Sequence, residues 1–174
     1  MPKEALEREV RGQNLRMGTF ADQVGDRTTV TVFLRHLGCM FCRETVAELR
    51  KVHEAARERP PVLFVHQGTP EQGRAFFDKR WPEARAIADP DAALYHAFGL
   101  ERGCITQVLG PKVWPRALKA LMKHGLGPVV GDPFMMPGIF IVRGSTILWR
   151  HEHEHSGDTP CLHTVYSRAL AAAL

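Results

Sequence analysis

The stretch TTVTVFLRHLGCMFCRE constrains this chain most. Thr28–Arg35 is rich in β-branched and apolar residues, follows a Gly25-Asp26 turn, and reads as a buried strand. From about Met40 to Arg59 the apolar period lengthens to that of a helix. Cys42, Val46, Leu49, Val52 and Ala56 then share one face, and Pro60-Pro61 ends the run. The short junction between strand and helix holds Cys39, with Cys42 one turn further on. Two thiols are therefore held within reach of each other at a helix N-terminus.

The alternation continues along the chain. Val62–Gln67 reads as a second strand, Pro70–Lys79 as a helix and Ala84–Ala88 as a short strand, and Asp89-Pro90 opens a helix over DAALYHAFGL. Strands alternating with helices imply a parallel sheet covered on both faces. Glu101–Leu109 shows no decisive pattern, and Pro111–His124 reads as an amphipathic helix stopped by Gly125. The last third differs in style. Gly138–Val142 and Thr146–His151 flank Arg143-Gly144-Ser145, a tight hairpin whose strands run antiparallel. A closing helix is expected from about Thr159 to Leu174, with Asp158 or Thr159 as cap and Pro160 in the first turn. Short helices are expected in Glu4–Val10 and near Thr19–Val24. Together these predict an α/β fold, a central mixed sheet flanked by helices in a thioredoxin-like arrangement. A length of 174 residues suits one core, so residues 1–174 read as a single domain, with residues 1–13 a peripheral N-terminal extension.

Composition excludes several classes. With 44% hydrophobic and 24% charged residues, the chain is not of disordered type. The longest apolar run, Phe134–Val142, is far short of the ~20 residues of a membrane helix. The charged start MPKEALEREVRG lacks the apolar core of a secretory signal. The expected setting is cytoplasmic, with no membrane partner. The net charge of +4 is mild. Lys112, Arg116, Lys119 and Lys123 fall on one side of a predicted helix and read as a solvated face, with an acidic partner as the alternative. No aromatic-interleaved basic motif points to nucleic acid.

A thiol attacks as its thiolate, and free cysteine ionises near about 8.5. Cys39 sits among unpaired helix N–H groups, and Arg35, His36 and Arg43 are close in sequence and add positive potential. These features predict a lowered pKa at Cys39. Gly38 leaves space for an approaching substrate, and Cys42, on the apolar stripe, reads as the more buried thiol. Cys39 would then attack and Cys42 resolve the product into a disulfide. Two rival readings are an inert pair and a zinc knuckle, although no second Cys-x-x-Cys completes the latter. Pro137, just before a core strand, stands where a thioredoxin-like fold places a cis-proline facing the Cys-x-x-Cys. Bent backbone at Met136 would then offer N–H and C=O groups to a substrate. The alternative is a trans proline that opens the strand.

With Cys39, Cys42 and Pro137 placed, the chain resembles the peroxiredoxin-like proteins of the AhpC/TSA antioxidant family, within the thioredoxin superfamily. FLRHLGCMFCRE carries the likeness, and its Arg-His ahead of Gly-Cys-x-x-Cys resembles the selenoprotein-L-like branch. YHAFGLERG (Tyr95–Gly103) and MPGIFIVRG resemble further segments of the group, so that the likeness spans about residues 14–173. The usual Pro-x-x-x-Thr-x-x-Cys is altered, with His36 at the Thr position and Val32 at the Pro position. The resemblance implies a thiol–disulfide oxidoreductase or peroxidase acting on a peroxide or a disulfide. Cys39 and Cys42 would be catalytic, with Arg35, His36, Met136 and Pro137 in support. Thioredoxin, glutaredoxin or a small thiol would supply electrons. No organic cofactor is implied, since there is no Gly-x-Gly-x-x-Gly and no phosphate loop. The oligomeric state is left open, a homodimer included.

RHEHEHSGD (Arg150–Asp158) raises a separate reading. In a continued strand His151, His153 and His155 would share a face, with Cys161 and His163 close behind. Such imidazoles suit zinc, copper or nickel, and a non-catalytic redox-sensing or metal-binding module is the alternative function. A fraying, solvated strand end is the plainer account. Cys104 reads as a packing residue and Cys161 as inert or as a distant resolving thiol. A further alternative is an interaction domain that keeps the fold without turnover.

Overall fold

The computed structural model describes residues 1–104, 120–155 and 157–173, and of Glu152 the backbone alone. Among these residues six strands form one sheet: β1 (Arg11–Gln13), β2 (Thr29–Phe33), β3 (Val62–His66), β4 (Arg85–Ala88), β5 (Gly138–Arg143) and β6 (Thr146–Glu152). Their order is β1-β4-β3-β2-β5-β6. β2, β3 and β4 pair parallel, whereas β5 runs antiparallel to β2 and β6 antiparallel to β5. The expected mixed sheet is thus present, its parallel half built by helical crossovers and its antiparallel half by the Arg143–Thr146 turn.

Side chains alternate across the pleat and divide the core in two. Val30, Val32, Phe64, Ile139 and Ile141 face one side, where helix α3 (Met40–Ala55) packs through Cys42, Val46, Leu49 and Val52. α4 (Pro70–Phe77) and α6 (Leu162–Ala171) close the same layer through Phe76, Phe77, Val165 and Tyr166. Phe33, Leu63, Val65, Phe140 and Val142 face the other side, under α1 (Lys3–Leu6), α2 (Phe20–Val24) and α5 (Ala93–Ala97). There Phe33 meets Tyr95, Phe98 and Phe140 with ring centroids 4.7–5.4 Å apart. Leu49 has no exposed surface, and its truncation to Ala would cost about 2–5 kcal/mol.

Several boundaries move for identifiable reasons. α3 ends at Ala55 because Ala56 is already extended. The closing helix starts at Leu162, with Cys161 at its cap, rather than at Thr159. The Asp158 carboxylate expected to cap it instead accepts from the Glu154 N–H (3.1 Å) and pairs with His151. Residues 1–13 are less peripheral than expected. Ala5 and Val10 are buried, and β1 pairs antiparallel with β4. The expected helix over Pro111–His124, with Lys112, Arg116 and Lys119, lies outside the described residues up to residue 119. Residues 120–124 are helical and stop at Gly125, whose φ is +65°.

Candidate active site

β2 ends at Phe33, and the chain turns through Leu34–Gly38 before α3 begins. The Cys39 N–H donates to the His36 carbonyl (3.0 Å), and the Cys39 carbonyl accepts from the Arg43 N–H (3.1 Å). Cys39 is therefore the N-cap residue of α3, with extended backbone. Cys42 lies one turn on, facing the core, and its Sγ accepts the main-chain N–H of Arg35 at 3.2 Å. Both cysteines are free thiols.

The two sulfurs divide the charge. The Cys42 thiol donates to the Cys39 sulfur, and this bond does most to bring Cys39 down to about 6. Burial works against it, while the Arg35 charge and the N–H groups of Cys42 and Phe41 assist. The helix end thus acts less strongly than the neighbouring thiol. Cys42 moves the opposite way, well above the usual thiol range, because it gives its proton to Cys39, is buried, and faces a thiolate. His36 adds no positive charge at neutral pH. Burial, then Arg35 and Arg43, hold it at about 4. The sequence expectation of a cationic His36 is corrected on that ground.

Cys39 was expected to be the more open thiol, yet it is 2% exposed against 4% for Cys42. A strap of residues 124–132 packs on the turn just before it, at Gly38. The Gly127 N–H donates to the Gly38 carbonyl (3.1 Å), and Arg43 Nη1 donates to the His124 carbonyl (3.0 Å). The fit leaves no room for a side chain, since a Cβ on Gly38 would lie 2.3 Å from the Pro128 oxygen. At the far end Gln67 Oε1 accepts the Asp132 N–H (2.9 Å), while its amide nitrogen donates to the Arg35 carbonyl. Gly125 and Gly131, both with positive φ, bound the strap. Gln67 and the strap carry no motif in the sequence and were not anticipated.

Arg35 is 8% exposed. Its Nη2 lies 3.4 Å from His36 Nε2, and its Nε and Nη1 have no partner among the described residues. Pro137 lines a small cavity with Cys42, Phe41, Thr45, His153 and Thr159. The expected cis bond is absent, because no cis peptide occurs among the described residues. The trans form leads straight into β5, the Met135–Arg102 bridge holds the approaching chain, and the Met136 N–H is taken by the Glu101 carbonyl (3.0 Å). That N–H is consequently not offered to a substrate. Met136 instead lines an open cleft of about 270 Å³ on the other side of Pro137.

The histidine run departs from the shared-face expectation because β6 stops at Glu152. The His151 and His153 rings meet edge to face at 4.7 Å, and His151 Nε2 lies 3.3 Å from the Asp158 carboxylate. Among the described residues no group of three or more His, Cys, Asp or Glu is placed to hold a metal ion. Cys161 is exposed at its helix cap, its thiol lowered by Thr164 and by the His163 N–H, and Cys104 is also exposed.

The family model described as AhpC/TSA antioxidant enzyme matches residues 47–155 of the chain. The chain belongs to the AhpC/TSA antioxidant enzyme family. The matched region begins just after Cys42, so the thiol pair itself stands upstream of it. Within this family's wider surroundings, prostamide/prostaglandin F synthase of Xenopus laevis is 28% identical over 147 residues, covering 80% of the chain and 73% of that protein. Peroxiredoxin-like 2C of Mus musculus is 24% identical over 159 residues, covering 84% of the chain and 70% of that protein. A solved mutant of PrxQ from Xylella fastidiosa superposes with a TM-score of 0.69 at 14% identity, covering 100% of the chain and 94% of that structure. That likeness shows the thioredoxin-like peroxiredoxin fold. AhpC/TSA membership supports thiol-dependent oxidoreductase activity.

Proposed function

We propose that this AhpC/TSA protein reduces a hydroperoxide, with Cys39 as the attacking thiolate and Cys42 as the resolving thiol. The observation that carries the reading is the geometry of two free thiols one helical turn apart, Cys39 at the N-cap of α3 and Cys42 with its Sγ held by the Arg35 N–H at 3.2 Å, a placement in which Cys39 is shifted down and Cys42 up. The Cys39 thiolate attacks a peroxide oxygen and the O–O bond breaks. The alkoxide or hydroxide leaves with a proton, and Cys39 becomes a sulfenic acid. Cys42 Sγ then attacks Cys39 Sγ, the S–O bond breaks, and water departs as the disulfide forms. The dithiol has given two electrons to the peroxide. Thioredoxin, glutaredoxin or a small thiol returns them. Arg35 supports the anionic sulfur, and its two unpartnered nitrogens are available to the departing oxygen.

Enclosure favours a small peroxide over a protein disulfide, because a residue only 2% exposed is reached more readily by a few atoms than by a polypeptide. The Cys-x-x-Cys spacing at a helix N-terminus favours the second reading, thiol–disulfide exchange. Mixing reduced protein with hydrogen peroxide, cumene hydroperoxide and a model disulfide, with stopped-flow detection and peptide mapping, separates the two. The peroxide reading expects fast peroxide consumption, a Cys39–Cys42 disulfide lighter by two hydrogens, and no turnover in Cys39→Ser. Faster reaction with the disulfide than with either peroxide would contradict it.

A further inference from the structure

Resolution poses a proton problem. Cys42 is buried and holds its proton, yet it must lose that proton to attack Cys39. The groups packed beside it are poorly placed to accept it. Arg35 is a cation, the His36 ring lies against that cation with Nε2 3.4 Å from Arg35 Nη2, and Tyr95, fully buried, is held well above the ordinary phenol range by desolvation. The cavity against Cys42 is of about 20 Å³, room for roughly one water molecule. Its polar lining consists of Cys42, Thr45, Thr159 and His153, which supplies the two to four partners that such a water needs.

His153 has a second property. It also lines the open cleft beyond Pro137, together with Arg150, His151, Glu101 and Arg102. One imidazole thus borders both the closed space at the buried thiol and the route to solvent. Its Nδ1 is buried without a hydrogen-bond partner among the described residues.

We propose that His153 accepts the Cys42 proton during resolution, through a single water in the cavity, and releases it into the cleft. This rests on the peroxide reading above. In the step, the Cys42 S–H bond breaks and its proton passes by way of the water to the imidazole. The S–S bond to Cys39 forms as the S–O bond of the sulfenic acid breaks. The departing hydroxide takes up a proton drawn from solvent and leaves as water. The imidazolium then loses its proton to solvent. Burial keeps the imidazole neutral beforehand, at about 4, with His151 and His155 lowering it and Asp158 raising it. The charged and titratable groups around it are those three, Arg150 on its own strand, Cys42 from α3, and Glu101 and Arg102 across the cleft.

The test follows the two chemical steps separately in the full chain, using hydrogen peroxide, acid quench and mass spectrometry. In His153→Gln, sulfenic acid forms at Cys39 at the wild-type rate, while disulfide closure slows by about 100-fold, the low end of general-base effects. In His153→Ala, added imidazole restores closure in proportion to its concentration, and without it the pH profile of closure shifts to higher pH. Closure at the wild-type rate in His153→Gln overturns this inference alone. So does slow closure that keeps the wild-type pH profile and ignores imidazole, which marks a structural role. Wild-type protein that forms neither sulfenic acid nor disulfide overturns the peroxide reading and this one with it.

Discussion

The main-chain N–H of Arg35 donates to Cys42 Sγ at 3.2 Å, tying the turn after β2 to the first turn of α3. The same residue places its guanidinium close enough to lower the Cys39 pKa. One residue therefore fixes the resolving sulfur through its backbone and supports the attacking sulfur through its charge.

Cys42→Ala removes the donor that contributes most to the Cys39 shift. The expected outcome is a Cys39 pKa well above 6 and a sulfenic acid that persists after peroxide treatment. Thiol alkylation against pH and intact-mass measurement check both. An unchanged ionisation would show that Arg35 and the helix N–H groups suffice without the second thiol.

Arg35→Met should separate activity from stability. The buried guanidinium has two nitrogens without a hydrogen-bond partner among the described residues, and desolvating such a charge is costly even beside a thiolate. Thermal stability is expected to hold or rise, while a Cys39 pKa higher by about one unit lowers peroxide reduction by about twofold at pH 7 and about tenfold at pH 5. Loss of both together would mean that Arg35 serves packing above all.

Gly38→Ala places a methyl group 2.3 Å from the Pro128 carbonyl oxygen. Overpacking against backbone costs about 1–3 kcal/mol, and the strap can relieve it only by lifting. Lower stability and faster alkylation of Cys39 are expected together, read by denaturant unfolding and iodoacetamide kinetics. Slower alkylation would place the covering strap elsewhere.

Acid should unfold the protein through buried imidazoles. His66 is almost fully buried and held at about 4 by desolvation, below its unfolded value of 6.5. The unfolded chain therefore binds a proton that the folded one does not. Stability from this group is complete above 6.5 and is lost as the pH falls towards 4, with a limiting slope of about 1.4 kcal/mol per pH unit. His66→Asn, which can still accept the Gly68 N–H, should give a shallower loss in urea titrations across that window. An identical slope in the variant would assign the acid sensitivity to other groups.

The legible parts of the fold were those with local causes. The β-branched run Thr29–Phe33, the apolar stripe of α3, the start of α4 at Pro70 and the Gly144 turn each announce themselves within a few residues. The thiol pair and Arg35 were legible for the same reason. What was hidden depends on contacts distant along the chain. Arg-Gly-Gln becomes a strand only because β4 offers an edge and Gln13 reaches the Pro82 carbonyl (2.9 Å). The strap beside Cys39 is held by contacts distant along the chain, Gly127 with Gly38, Arg43 with His124 and Gln67 with Asp132. His153 reads as a metal ligand in sequence because the end of β6, which sets its direction, is fixed by packing and not by its neighbours.

The most direct measurement is the ionisation of Cys39 itself. Alkylation of reduced protein with iodoacetamide from pH 4 to 10, mapped by peptide mass, reports each thiol separately. The account predicts a midpoint of about 6 for Cys39, with Cys42 unmodified until far higher pH. A Cys39 midpoint at the free-thiol value of about 8.5, or Cys42 reacting first, would contradict it.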